Sequence, residues 1–203
     1  MNVNKDIFWK RYGHEKWEDN ALAHALVRLP NVGINGPWLC GGAVRRLVMG
    51  MPQESDYDFF FKDANQFGIF VATMKELGAK KLHENEFNVT WELLAQDKEP
   101  KIKVQAIRIA YHANITSVLD SFDFSLCQCG YDGESFHFGE FTLFDLANKK
   151  LIPEKITYGV SSLRRMIKYT RQGYGVCGGG LANMLEQIVA DPSIINKKVE
   201  YID

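Results

Sequence analysis

The sequence predicts an α+β fold in which helices back a small mixed sheet, followed by a short helical appendage. Two observations favour this fold: short apolar or alternating runs typical of strands recur before about residue 150, and only helix-period runs follow. The 203 residues, 46% hydrophobic and 24% charged, are enough for a soluble protein with its own core. We predict a head domain over residues 1–150 and a helical appendage over residues 151–203.

Composition narrows the function classes. The net charge of -1 gives no overall attraction to nucleic acid, so any polyanion site must be a local basic patch. The four cysteines form no C-x-x-C pair and the five histidines no H-E-x-x-H motif, which argues against structural zinc. The charged N-terminus lacks a signal peptide and no apolar run approaches a membrane span, so we expect a cytoplasmic protein without a membrane partner.

The spacing of apolar residues predicts the helices and strands of the first half of the chain. Apolar residues from Trp17 to Leu29 fall at helical spacing, and "WLC" is a short strand before a double glycine and an amphipathic run that ends at Gly50. "SDYDFFFK" alternates as a strand, with Tyr57 and Phe59 pointing into the core. "NQFGIFVATMKELGAKKL" predicts a helix whose inward face includes Leu77.

The second half begins with a hairpin. "FNVTWELL" and "KIKVQAIRIA" are strands joined by the loop "AQDKEP". We then expect a short helix in "NITSVLDS", a strand in "FDFSLCQCGY" and a loop in "FTLFDLANKKLIPEKI". "SSLRRMIKYTRQGYG" is helical, and Gly178 to Gly180 resemble a joint before the last helix, "LANMLEQIVAD".

Two carboxylates mark the candidate site. Residues two apart on a strand share a face, so Asp56 and Asp58 lie side by side. Unless a cation lies between them, their repulsion must raise the pKa of one carboxyl or lower the stability of the fold. Oxygen ligands of this kind suit Mg²⁺ or Mn²⁺. A lone D-x-D is more often a solvated strand edge, and only the neighbouring motifs favour a metal site.

Those neighbours provide a phosphate cradle. Gly41 and Gly42 allow backbone amides to approach a phosphate at a helix start, and Arg45 and Arg46 add cationic donors. A lone double glycine is usually a turn, but the order of strand, double glycine, basic helix and D-x-D strand favours nucleotidyl or phosphoryl transfer.

The sequence resembles the nucleotidyltransferase superfamily of DNA polymerase beta, and within it the bacterial-type CCA-adding enzymes and poly(A) polymerases. "GGAVRR" and "SDYD" are similar to the G-G-x-V-R-D and D-x-D motifs of the head, and "FDFSLCQCGYDG" resembles the R-R-D-F-T-I-N-A strand. "FDLANKKLIPEKI" and "SSLRRMIKYTRQGY" resemble the next segment and the basic helix of the neck. The motifs are colinear from Trp38 to Tyr174.

The resemblance implies a metal-dependent enzyme that moves a nucleoside monophosphate from an NTP, such as ATP, to a hydroxyl and releases pyrophosphate. Asp56 and Asp58 would hold the metal, and an RNA 3′ end, tRNA-like, is the expected acceptor. The residues implied in nucleotide binding are Gly41, Gly42, Arg45, Arg46, Asp123, Arg164, Arg165, Lys168 and Arg171. Spacing on the neck helix aligns Arg164, Lys168 and Arg171, with Arg165 in one of these roles if the alignment slips by a residue. A solvated helix face is the plain alternative for these cations, and a structural contact is the alternative for Asp123.

Departures from the family pattern leave the acceptor and turnover open. Arg46 replaces the aspartate of G-G-x-V-R-D, Ser121 and Phe122 replace the paired arginines, and Cys127 replaces an asparagine. Gln105 stands where the superfamily often has a third carboxylate, and an amide cannot act as a general base. The base-reading E-D-x-x-R motif is missing from the neck.

Three hypotheses therefore remain: transfer to RNA, transfer to a protein target, and a non-catalytic nucleotide- or partner-binding protein of the same fold. The compact form would suit a phage or mobile-element protein.

Overall fold

The structure, a computed structural model, describes residues 1–13, 16–95 and 100–197. In this part of the chain, the strands are β1 (Asn2–Asn4), β2 (Trp38–Cys40), β3 (Tyr57–Phe60), β4 (Lys80–Glu84), β5 (Asn88–Leu93), β6 (Ile102–Ile107), β7 (Cys129–Tyr131) and β8 (Ser135–Phe138). The α-helices are α1 (Lys5–Tyr12), α2 (Ala21–Val27), α3 (Gly42–Val48), α4 (Ala64–Glu76), α5 (Ile115–Leu119), α6 (Thr142–Ala147), α7 (Gly159–Arg171), α8 (Gly178–Ala190) and α9 (Ser193–Asn196). Short 3₁₀ turns cover Trp17–Asp19 and Ser125–Cys127.

The described strands form one mixed sheet in the order β1-β8-β7-β2-β3-β6-β5-β4. Strands β3 and β6 run parallel, and the other neighbouring pairs are antiparallel. This mixed sheet backed by helices confirms the predicted fold class. The β5–β6 pairing also confirms the hairpin, although residues 96–99 of its loop lie outside the described residues.

The sheet has two unlike faces because side chains alternate along each strand. On one face, Leu39, Phe59 and Val104 are completely buried in the main core. The opposite face carries a smaller cluster in which Trp38 and Phe60 pack with α5. Asp58 lies two residues before Phe60 and therefore projects on the smaller-cluster side.

Several element predictions were wrong. The helix expected over Trp17–Leu29 is interrupted at Asn20, whose side chain caps α2 instead. The expected strand "FDFSLCQCGY" contains a 3₁₀ turn before the three-residue β7, and part of the expected loop "FTLFDLANKKLIPEKI" is α6. Leu77 is 45% exposed rather than facing the core, because α4 ends at Glu76.

The glycines Gly178 to Gly180 are not a joint but the first turn of α8. The Cys177 thiol accepts a hydrogen bond from the Gly180 amide at 3.4 Å and caps the helix. A Cβ at Gly180 would lie 3.1 Å from Pro153, so close packing accounts for this glycine.

The helices after residue 150 pack on the sheet-forming part. Tyr169 of α7 stacks edge-to-face with Phe124, and the Leu151 amide donates to the Gly175 carbonyl at 2.8 Å. The boundary between head and appendage near residue 150 stays a prediction. Within the described residues, none of the helices combines the length and apolarity that crossing a membrane requires.

Candidate nucleotide-binding site

The double glycine forms a turn with a steric requirement at each position. Gly41 has φ 90°, a conformation that residues with a Cβ rarely adopt, and donates its amide to the Cys129 carbonyl at 2.7 Å. A Cβ on Gly42 would overlap the Ser55 hydroxyl. The turn thus brings the start of α3 against the loop that leads into β3. The amides of the first turn of α3 have no intrahelical acceptor, and their role as a phosphate cradle stays a prediction.

The carboxylate pair lies directly beside this turn. Asp58 pairs in register with Cys40 of β2 and Gln105 of β6, and its Oδ2 lies 3.6 Å from the position of a Cβ at Gly41. Burial, followed by the charge of Asp56, raises the pKa of Asp58 to about 7. The structure therefore brings both predicted carboxylates and the glycine turn together.

Three cations act on Asp58 in the opposite direction. The charges of Arg165, Lys103 and Lys168 each lower its pKa, although burial and Asp56 outweigh them. Arg165 and Lys168 come from α7, which places a basic helix across from β3. Arg164, Lys168 and Arg171 are exposed, and it is Arg165 rather than Arg164 whose charge acts on Asp58.

Gln105, the residue in the third-carboxylate position, contacts Asp56. Its Nε2 donates to Asp56 Oδ2 at 2.7 Å, and the Lys103 ammonium lies 3.0 Å from the same oxygen. Sequence reasoning missed Lys103. Its signal was the alternation of β6, which puts residues 103 and 105 on one face while Val104 and Ala106 are buried on the other.

The two arginines of α3 have separate environments. Arg45 is buried with its guanidinium 4.8 Å from the ring centroid of Tyr169 in α7. Arg46 donates to the Pro52 carbonyl at 2.7 Å and pairs with Glu54. The arginine that replaces the family's aspartate thus fastens the loop before Asp56. A nucleotide contact by either arginine stays a prediction.

Asp123 anchors α7. Its Oδ2 accepts a hydrogen bond from Ser162 at 2.8 Å, and its Oδ1 lies 3.1 Å from Arg165 Nη2, without hydrogen-bond alignment. The same Arg165 nitrogen is 3.6 Å from the Cys127 sulfur, and that sulfur lies 3.1 Å from the Tyr169 hydroxyl. These contacts match the structural role considered for Asp123, and they position Arg165 toward the carboxylates. Its contact with a nucleotide sugar stays a prediction.

The donor set fits a hard divalent cation. Asp56 and Asp58 offer two adjacent carboxylates whose mutual repulsion a cation would relieve, and Mg²⁺ commonly takes one or two carboxylates together with substrate phosphates. Among residues 1–13, 16–95 and 100–197, no cluster of three or more acidic, histidine or cysteine side chains could hold a metal.

The fold of the chain is similar to that of CCA-adding enzymes. It superposes on a Thermotoga maritima CCA-adding enzyme complexed with tRNA with a TM-score of 0.62 and 16% identity, covering 98% of this chain and 48% of that one. A CCA-adding enzyme with ATP gives 0.59 at 16% identity, with coverages of 98% and 47%, and a tRNA-processing enzyme complex gives 0.52 at 17%, with 75% and 43%. The chain spans about half the length of the first two, and at this identity the likeness shows the fold alone.

The family is defined by sequence. The profile of the Gabija anti-defense 2 family matches residues 7–149, and the chain belongs to that family. No curated protein matches the sequence.

Proposed function

We propose that this protein acts against the Gabija defence as a nucleotidyltransferase, moving a nucleoside monophosphate from an NTP to a hydroxyl acceptor. The observation that carries the proposal is the carboxylate pair Asp56 and Asp58 beside the turn at Gly41, with the charges of Arg165 and Lys168 acting on Asp58. Family membership supports the biological role, and the fold likeness supports the reaction class.

Each residue then has a chemical task. The amides at the start of α3, together with Arg165 and Lys168, would bind the negatively charged triphosphate. Asp56 and Asp58 would hold Mg²⁺ or Mn²⁺, which when bound supplies positive charge to the carboxylates and phosphates. Gln105 keeps Asp56 oriented but cannot accept the proton of the attacking hydroxyl, so that proton must leave by another route.

The acceptor is proposed to be an RNA 3′ end. Solved structures with this fold support it, because they include CCA-adding enzymes in complex with tRNA, with ATP and with CTP. A hydroxyl on a protein of the Gabija system is the alternative acceptor, supported by membership of the Gabija anti-defense 2 family.

The test is transfer of label from each α-³²P-NTP, with Mg²⁺, to RNA and then to Gabija proteins. We expect label in one acceptor with the wild type, none with Asp58→Ala, and wild-type transfer with Asp120→Ala, which removes an exposed carboxylate elsewhere. Label on RNA supports the primary acceptor and label on protein the alternative.

A second candidate is nucleotide binding without turnover. The observation that favours it is the double engagement of Asp56 Oδ2 by Gln105 and Lys103, which withdraws part of the metal-binding carboxylate. Saturable NTP binding together with no transfer to any acceptor would overturn the enzyme proposal and support this one.

A further inference from the structure

Lys103 supplies a positive charge directly beside Asp56. Its Nζ lies 3.0 Å from Asp56 Oδ2, and the Gln105 amide occupies a second direction on the same oxygen at 2.7 Å. The two donors come from alternate positions of β6 and share the face that carries the carboxylates. One oxygen of the pair is thus held by two protein donors.

The ion pair is only partly exposed to water. The Lys103 and Asp56 side chains are 29% and 28% accessible, so solvent and salt screen their attraction less than they would on an open surface. Lys103 also acts on Asp58, because its positive charge lowers the pKa of that carboxyl. A single ammonium therefore offsets part of the negative charge of both carboxylates.

A divalent cation on Asp56 Oδ2 would have to share that oxygen with the ammonium. Mg²⁺ binds oxygen at about 2.0–2.1 Å, and an ammonium 3.0 Å from the same atom would then face a double positive charge at close range. The neutral Gln105 adds no compensating charge, whereas a carboxylate at its position would.

We propose that Lys103 is a built-in counter-ion of Asp56 that competes with divalent cations, so that the nucleotide-free protein binds Mg²⁺ or Mn²⁺ weakly. When a triphosphate enters, its oxygens offer the Lys103 ammonium a new partner and release Asp56. The second statement rests on the proposed function, and the first depends only on the carboxylates and on β6.

The test measures Mn²⁺ binding to the full chain without nucleotide. Electron paramagnetic resonance reports the concentration of free Mn²⁺. We expect Lys103→Met to bind Mn²⁺ more tightly by about tenfold, since loss of one positive charge beside the site outweighs the small change in packing. Lys103→Arg keeps the charge and should bind as the wild type does. Lys101→Met is the matched control, because it makes the same substitution just before β6. The Lys101 ammonium pairs with Glu92 at 3.2 Å instead of with Asp56.

Two further variants keep the result interpretable. Asp56→Asn should abolish the gain of Lys103→Met in the double variant, because the gain depends on that carboxylate. Lys103→Gln also removes the positive charge and should tighten Mn²⁺ binding in the same way, and it serves if circular dichroism shows that Lys103→Met does not fold. Equal or weaker Mn²⁺ binding by folded Lys103→Met, or by Lys103→Gln in its place, would overturn the proposal.

The outcome is separable from the proposed reaction. Mn²⁺ binding needs neither NTP nor acceptor, so a protein that transfers no nucleotide can still show the competition. Conversely, unchanged Mn²⁺ binding in Lys103→Met together with active transfer would reject the counter-ion and leave the nucleotidyltransferase standing. With a non-hydrolysable NTP analogue present, we expect the advantage of Lys103→Met over the wild type to shrink, and a persistent tenfold gap would reject release by the triphosphate.

Discussion

Asp58 should weaken the folded protein at neutral pH, and its removal should stabilise it. Burial and the charge of Asp56 raise the pKa of Asp58 from its ordinary value of 3.8 to about 7 in the folded chain. Between these two values the folded state holds a proton that the unfolded state has lost, so the free energy of unfolding falls as pH rises. Below about pH 4 the contribution vanishes, and above about pH 7 it reaches its full size.

The two pKa values of Asp58 set the size of its effect on the free energy of unfolding. Each pKa unit between folded and unfolded states is worth about 1.4 kcal/mol, so a rise from 3.8 to about 7 gives an upper bound of about 4 kcal/mol. The Asp58 side chain is only partly buried, and residual hydration reduces the penalty, so we expect about 2 kcal/mol.

The assay compares urea unfolding of the wild type and Asp58→Asn in the presence of a chelator, from about pH 4.5 to about pH 8. The variant should gain stability over the wild type progressively with pH and level off above about pH 7. Asp120→Asn controls for the loss of one surface charge and should show no such growth. A difference between Asp58→Asn and the wild type that stays flat across the range, or a variant less stable at pH 8, would refute the reasoning.

Three further predictions concern the turn and the helices. Arg165→Met should weaken NTP binding by about tenfold in a fluorescence titration, because it removes the cation beside Asp58, whereas Arg164→Met on the exposed side should not; equal losses would contradict the assignment. Gly41→Ala should lower the free energy of unfolding by about 1–2 kcal/mol, since φ 90° strains any residue with a Cβ, and unchanged stability in denaturant would argue against that strain. Gly68→Ala should raise the free energy of unfolding by about 0.5–1 kcal/mol, because this glycine lies inside α4 with open space at its Cβ position. The melting temperature should rise accordingly, and a lower melting temperature would contradict this prediction.

The central part of the fold could be predicted because its signals are local. The alternation of "SDYDFFFK" gave β3 and the shared face of Asp56 and Asp58, and the apolar period gave most of α4. The three-residue β1 could not be predicted in this way, because it exists only through pairing with β8, 130 or so residues further along. The start of α8 was missed for another reason: Cys177 caps this helix, and cysteine is not one of the residues that usually indicate an N-cap.

The site shows the same division. The predicted glycines and aspartates lie together because short-range sequence order places β2, the turn and β3 side by side. The functions assigned to Arg45 and Arg46 depended on motif position, and their actual neighbours, Tyr169 and Glu54, come from a distant helix and a loop. Lys103 was visible in the sequence, but only the register of β3 with β6 showed which carboxylate it reaches.

The parallel register of β3 and β6 sets a rule for length variation within the family. Asp58 pairs with Gln105 and Phe59 pairs with Ala106. Deletion of one residue within the first half of β6 would therefore move each preceding side chain of the strand to the opposite face of the sheet. Lys103 would then be driven into the main core and an apolar neighbour would meet Asp56. Insertions and deletions should therefore be tolerated in the connection between β5 and β6 and rejected inside β6, and a library of single-codon deletions scored by folding would show a sharp boundary at the start of that strand.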